Sequence, residues 1–259
     1  MANFISEWGH KIMHVWSSGS LSNGTLNHLI MTQPPIEVSG LGFDVGPNRA
    51  KRTVFNNVSF TCNTGELVAL MGRSGSGKST ILRILSGLVS PTRGKAYCAG
   101  ADMSTLTKKE ATALRRRTVS TIYQDYNLIE SLTAINNVSL PLEIIGTRTK
   151  EAEETAKNAL ETVGLGSLSR QLPWQMSGGE QQRVAIARTL VAPGSILLAD
   201  EPTGAVDEQT GNEIVQLLKL VANSGKTVLI VTHDTQIANQ ADRVLHLHKD
   251  GITEELCAG

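Results

Sequence analysis

Cysteine is scarce in this chain: Cys62, Cys98 and Cys257 are the only three in 259 residues, and none forms a C-x-x-C pair. Thiols so few and so widely spaced suit a reducing cytosol, in which they serve as small apolar core groups. Excess charge of one sign is also missing. With 24 Lys and Arg against 24 Asp and Glu, the formal net charge is +0, so no overall basic field argues for nucleic acid. No apolar run approaches the about 20 residues that a membrane-spanning helix needs; Val228-Leu229-Ile230-Val231 is typical of the longest. The first residues lack the continuous apolar stretch and small-residue cleavage pattern of a signal peptide, and there are no internal repeats. What remains is enough chain for one large α/β domain, or for a core with a small subdomain.

Residues 1–35 stand apart. Phe4, Ile5, Trp8, Ile12, Val15 and Trp16 recur at helical spacing, followed by a Ser/Gly/Asn-rich stretch and Pro34-Pro35. They read either as a short amphipathic helix on a membrane or partner surface or, the preferred reading, as a poorly ordered extension. From Ile36 the pattern becomes β. In Val54–Cys62 the residues Val54, Val58, Phe60 and Cys62 share one face and Asn57, Ser59 and Thr61 the other, which predicts a half-buried antiparallel strand. Leu67–Met71, Ile196–Ala199 and Val228–Val231 are continuously apolar, as in parallel strands covered on both faces. Helical faces follow: Ile81, Leu85 and Leu88; then Ala152, Ala156, Leu160 and Val163 before Gly164; then Ile214, Leu217, Leu218 and Val221 before Gly225. Between Gln124 and about Val191 there is no parallel-strand run, so this segment is expected to be an inserted helical subdomain. The fold class expected is α/β, a P-loop NTPase core with a mainly parallel sheet, an N-terminal antiparallel β-subdomain and that helical insertion.

The chemistry sits in motifs. Gly72-Arg73-Ser74-Gly75-Ser76-Gly77-Lys78-Ser79 matches the phosphate-cradling pattern G-x-x-x-x-G-K-S/T, between an apolar strand and a helix. Its glycines free the backbone to wrap polyphosphate with N–H groups, and the helix N-terminus adds a positive dipole end. Lys78 is expected to bridge the β- and γ-phosphates of ATP, Ser79 to ligate Mg²⁺, and Thr80 to donate to a neighbouring phosphate. Asp200 closes a buried strand, where a carboxylate is costly unless paired or hydrogen-bonded; facing Ser79, it is expected to anchor Mg²⁺. Glu201 follows as the general base for the attacking water. Ser177-Gly178-Gly179-Glu180 is a capping box, but two consecutive glycines at a helix start also allow an anion to approach the backbone closely. His233, at another buried strand end, is expected beside Glu201 as a γ-phosphate sensor. Gln124, after a strand at 118–123, is placed to reach Mg²⁺ or the water. His246 and His248 alternate on one strand with no third ligand at suitable spacing and read as edge-strand residues.

Together these residues resemble the ATP-binding cassette (ABC) ATPase family over roughly Ile36 to Leu256. In that family's terms Gly72–Ser79 matches Walker A, Gln124 the Q-loop and Met176–Glu180 the LSGGQ signature. Asp200 with Glu201 matches Walker B and its glutamate, Gly204–Asp207 the D-loop, and His233 the switch histidine. Phe43 falls where the family places an aromatic that stacks on adenine, usually a tyrosine; Met176 and Glu180 replace the usual Leu and Gln. Leu198–Gly204 and Asn137–Leu142 are similar to the group serving macrolide export, lipoprotein release, antimicrobial-peptide resistance, haem efflux and cell-division signalling.

The resemblance implies an ATPase using ATP and Mg²⁺, peripheral on the cytoplasmic face of the membrane through a transmembrane permease subunit. Two copies would pack head to tail as a homodimer, each ATP lying between one copy's Lys78 and the other's Ser177 and Gly179. The segment with Tyr126, Leu128 and Leu132 is expected to form the groove for a permease helix. Two alternatives stay open: the ATPase of a complex regulating cell-wall hydrolases, and a soluble ABC ATPase of iron–sulfur cluster assembly. Chromosome and repair ATPases of the family insert long coiled coils between the phosphate loop and the signature; here Lys78 and Ser177 are only 177 − 78 = 99 positions apart.

Overall fold

The computed structural model describes residues 33–47, 50–204 and 206–256. The expected extension at 1–35 lies outside them except for its last three residues. Two sheets organise the chain from Ile36 onward. The smaller is antiparallel, in the order β2-β1-β4-β5, from β1 (Ile36–Val45), β2 (Arg52–Cys62), β4 (Arg93–Cys98) and β5 (Ala101–Asp102). The larger has the order β10-β9-β3-β8-β7-β6. Here β6 (Val119–Ile122), β7 (Ile196–Asp200), β8 (Thr227–Val231), β3 (Leu67–Gly72) and β9 (Arg243–His248) run parallel, and β10 (Gly251–Leu256) returns antiparallel to β9.

The continuously apolar runs are explained by coverage of both sheet faces. Leu67, Ala69, Leu197, Ala199, Val228 and Ile230 point into one core cluster, with α5 (Gly178–Val191) and α6 (Glu208–Asn223). Val68, Leu70, Ile196, Leu198, Leu229 and Val231 point into the other, against α1 (Lys78–Leu85) and the antiparallel sheet. Alternation within an all-apolar strand therefore feeds two cores at once. The remaining helices are α2 (Lys108–Arg117), α3 (Ala134–Ile144), α4 (Thr149–Thr162) and the short α7 (Thr235–Ala238). Among the described residues no strand interrupts the chain between β6 and β7, where α3, α4 and α5 pack on one another.

Three sequence expectations are corrected. Asn57 adopts φ 53° and the β1–β2 register shifts between Leu41 and Phe43, so a bulge turns the strand over; Phe55, not Val54, joins Val58, Phe60 and Cys62 on the buried face. Leu88 is exposed, because α1 ends at Leu85 and Gly87 (φ 66°) turns the chain away before the helical face can reach it. Finally β9, with His246 and His248, is internal: it pairs with β3 on one side and β10 on the other, and β10 is the edge.

Candidate active site

The site forms at the carboxyl ends of β3, β7 and β8, where open α/β sheets gather ligands. The loop after β3 turns through Gly75 (φ 75°) and Gly77 (φ 99°) into α1. A Cβ on Gly77 would lie 2.5 Å from Phe55 Cδ1, so glycine is required both by conformation and by packing on β2. Gly77 is also the N-cap of α1 and supplies no side-chain cap, and no acidic residue occupies the first turn. The helix's opening N–H groups thus meet neither a capping oxygen nor a carboxylate of that turn.

Other polar groups at this loop point to an anion. Ser76 Oγ is buried without a hydrogen-bond partner among the described residues. Lys78 is buried, and its ammonium donates to the carbonyls of Gly72 (2.8 Å) and Arg73 (3.3 Å), closing the loop on itself. Ser74 lies exposed beside Gly75, and Thr80 follows Ser79 in the first turn of α1. An unpaired buried hydroxyl, a lysine aimed into the loop and an uncapped helix start together fit a polyphosphate.

Beside the loop, Ser79 Oγ donates to Asp200 Oδ1 at 3.0 Å. Burial pushes the Asp200 carboxyl above its ordinary value, the Ser79 hydrogen bond pulls the other way, and Glu201 adds to the rise. A hydroxyl and a partly buried carboxylate sharing one point are oxygen donors suited to a hard divalent cation.

Glu201 sits at φ 47°, a left-handed conformation uncommon for a side-chain-bearing residue. Its N–H donates to the carbonyl of Val231 at 2.9 Å, holding the bend against the end of β8. His233 Nδ1 lies 2.9 Å from both oxygens of the Glu201 carboxylate, two residues beyond the same strand. So the pair expected from adjacent strand ends is in contact, and the backbone departs from regular geometry where the two meet.

Gln124 is exposed in the turn after β6. Phe43 is half-buried on β1, its ring stacked on Phe55 with centroids 6.2 Å apart, and Phe55 in turn lies beneath Gly77. Phe43 therefore belongs to the same end of the molecule as the phosphate loop.

Ser177–Glu180 is different. Ser177 caps α5, accepting from Glu180 N, while the Glu180 carboxylate accepts from Ser177 N (2.7 Å) and Ser177 Oγ (2.9 Å). Ser177 and Gly178 are exposed, and among the described residues no hydrogen bond or ion pair joins Ser177–Glu180 to Gly72–Ser79. A Cβ on Gly179 would touch Val206 Cγ1 at 3.5 Å, placing the motif beside the segment that leads to Asp207. Asp207 is the N-cap of α6; it accepts from Thr210 N (3.0 Å) and Thr210 Oγ1 (2.7 Å), and these bonds hold its carboxyl below the usual range.

One residue escaped the sequence reading. Arg188, on α5, donates to the carbonyls of Tyr126 (2.8 Å) and Asn127 (2.6 Å), in the turn that carries Gln124. The available signal was an arginine inside Val184–Val191, a run otherwise buried.

The family model for ABC transporters matches residues 55–204, more than half of the chain. The chain belongs to the ABC transporter family. It is an ATP-binding cassette of that family, an ATPase, and its fold is the α/β P-loop architecture expected. It is 41% identical over 222 residues to the macrolide export ATP-binding/permease protein MacB of Shewanella sp. (strain W3-18-1), covering 86% of this chain and 34% of that protein. The cassette thus spans about a third of the length of that relative. An uncharacterized ABC transporter ATP-binding protein of Mycobacterium tuberculosis is 39% identical over 216 residues, covering 83% of this chain and 87% of that one. Among solved structures, a dimeric post-hydrolysis state of the ATP-binding cassette MJ0796 bound to ADP and Pi superposes with TM-score 0.80 at 37% identity, covering 86% of this chain and 99% of the other.

A cleft of about 360 Å³ lies where α3 and α5 face β6 and α2, lined by Tyr123, Asn127, Leu140, Pro141, Ile144 and Arg188 among others. Leu128 and Leu132 do not line it. Leu128 packs on the large core cluster, and Asn137 binds the backbone of Ile129 and Leu132, drawing that segment inward. Leu128 thus serves the cassette's own core, while Leu132 is held through its backbone carbonyl.

Proposed function

We propose that this cassette binds ATP with Mg²⁺ at Gly72–Thr80, dimerises head to tail with a second copy, and drives a transmembrane permease of the macrolide-export, lipoprotein-release, peptide-resistance or haem-efflux kind. In this reading Gly72, Ser74, Gly75, Ser76 and Gly77 wrap the phosphates, Lys78 pairs with the β- and γ-phosphates, and Thr80 donates to a neighbouring one. Phe43 stacks on the base. Ser79, Asp200 and Gln124 would hold Mg²⁺, which supplies charge neutralisation at the leaving phosphate. Glu201 accepts the proton of the attacking water, and His233, already on its carboxylate, fixes the orientation of that base.

Ser177, Gly178, Gly179 and Glu180 of the other copy complete the site, with Asp207 at the dimer seam. The observation that carries this reading is the separation of the signature from the phosphate loop within one chain: among the described residues no hydrogen bond or ion pair joins them, and the signature is a glycine-lined helix start open to solvent. ATP is bound better by the closed dimer than by the open one, so hydrolysis releases the closure. The cassette would sit on the cytoplasmic face, its cleft taking a helix of the permease; no helix among the described residues is long and apolar enough to cross a membrane.

The test is the oligomeric state of Glu201→Gln protein with ATP and Mg²⁺. An ATP-dependent dimer by size exclusion is expected, and a persistent monomer with the permease also supplied would end this reading. For the cleft, Ile144→Asp and Leu140→Asp should abolish co-purification with the permease while leaving ATP affinity intact. Undiminished co-purification places the docking surface elsewhere.

A further inference from the structure

Two successive residues of the turn after β6, Tyr126 and Asn127, have φ of 59° and 48°. Asparagine tolerates this conformation; for tyrosine it is costly, and a second left-handed residue beside it compounds the cost. The turn is closed by Tyr126 N to the carbonyl of Tyr123 at 3.0 Å and Asn127 N to that of Asp125 at 2.6 Å, so the backbone of Gln124 is enclosed within it. Both left-handed residues present their carbonyls to one guanidinium, that of Arg188. A planar fork with parallel N–H groups suits two adjacent oxygens in a way that a single ammonium cannot.

Arg188 stands 188 − 177 = 11 positions beyond Ser177 on the unbroken helix α5, about 16 Å along its axis. The same side chain lines the cleft between α3 and β6. Three features thus meet in one residue: the helix that opens at the signature, the strained turn that carries Gln124, and the proposed docking cleft.

We propose that Arg188 is a positioning residue that locks the Gln124 turn to the signature helix, so that a shift of either one moves the other. This deepens the proposed function and rests on it where Gln124 and the signature are assigned to ATP. A helix is stiff along its axis, and two charge-assisted hydrogen bonds to backbone make the joint stiff as well. Displacement of α5 when its N-terminus meets the second copy's nucleotide is then delivered to the turn beside this copy's own nucleotide. Occupation of the cleft acts on the same joint from a third side.

The experiment compares Arg188→Met, Gln124→Ala and the double variant in the full chain, measuring kcat and KM for ATP together with amide hydrogen exchange over residues 124–128. Arg188→Met should lower kcat on the order of ten- to a hundred-fold by misplacing the turn, with KM little changed and exchange in the turn faster than in the rest of the chain. The double variant should be no slower than the slower single variant, because both changes disable one device. Arg188→Lys, which keeps the charge and loses the fork, should lie between wild type and Arg188→Met, and it serves where methionine does not fold. Effects that multiply in the double variant, or unaltered exchange in the turn, would overturn the proposal. Faster exchange in Arg188→Met combined with full kcat in Gln124→Ala supports the clamp and removes Gln124 from the site instead.

Discussion

The two ends that would clasp ATP differ in how complete each is by itself. At the phosphate loop, Ser79 already touches Asp200, His233 already touches Glu201, and Lys78 is buried against the loop it serves. At the signature, Ser177 and Glu180 satisfy only each other, and the first glycine faces solvent. Pre-organised groups that need no movement suit the end where charge develops in the reaction. A self-capped helix start that can exchange its internal partner for a phosphate suits the end that must bind and release. On the proposed reading, chemistry belongs to the first end and adhesion to the second.

The sharpest way to break that division is Glu201→Gln. Loss of the base should lower turnover about 10²- to 10⁴-fold while ATP affinity persists, read by phosphate release and by nucleotide binding in parallel. Wild-type turnover would remove Glu201 from the chemistry. Lys78→Ala should act on binding instead: one charge-assisted hydrogen bond is worth about 1.5–3 kcal/mol, so affinity should fall about ten- to a hundred-fold. Unchanged affinity by titration would mean that the buried ammonium serves only the carbonyls of Gly72 and Arg73.

Sequence was enough wherever strand ends set the position. Gly72–Ser79, Asp200, Glu201 and His233 were legible because each lies at or just beyond the end of an apolar strand, and parallel strands bring their carboxyl ends together whatever the loops do. Val54 was misplaced because alternation counts residues and cannot see the bulge at Asn57, which depends on pairing with β1. The edge position given to His246 and His248 failed for a related reason: strand order is a property of the assembled sheet, and nothing local marks β10 as its last member. Arg188 was missed because its partners are backbone carbonyls 61 and 62 positions away, which no spacing rule encodes.

Ser177→Ala probes the adhesive end. It removes the oxygen that caps α5, costing about 1 kcal/mol of stability, and with it the hydroxyl offered to the second copy's phosphate. Monomeric ATP affinity should be unchanged while ATP-dependent dimerisation weakens by about ten-fold, again the worth of one charge-assisted hydrogen bond. Equal losses in both measurements would mean that the two ends are not separable.

Glu180→Gln should give the smallest effect and bears most directly on the contrast. The Glu180 carboxylate accepts from the backbone N–H and hydroxyl of Ser177, and a glutamine oxygen can accept in the same place, so the capping box survives. What disappears is a negative charge in the first turn of α5, where the helix dipole favours it by about 0.3–1 kcal/mol. The isolated cassette should therefore melt slightly lower. Yet that same charge opposes an incoming phosphate, so ATP-dependent dimerisation should tighten a few-fold, and the gain should shrink as salt screens the repulsion. A lower melting temperature with a tighter dimer would place Glu180 as a brake on adhesion. A lower melting temperature with a weaker dimer would instead make its charge part of the grip, and the signature end would then be as pre-organised as the phosphate loop.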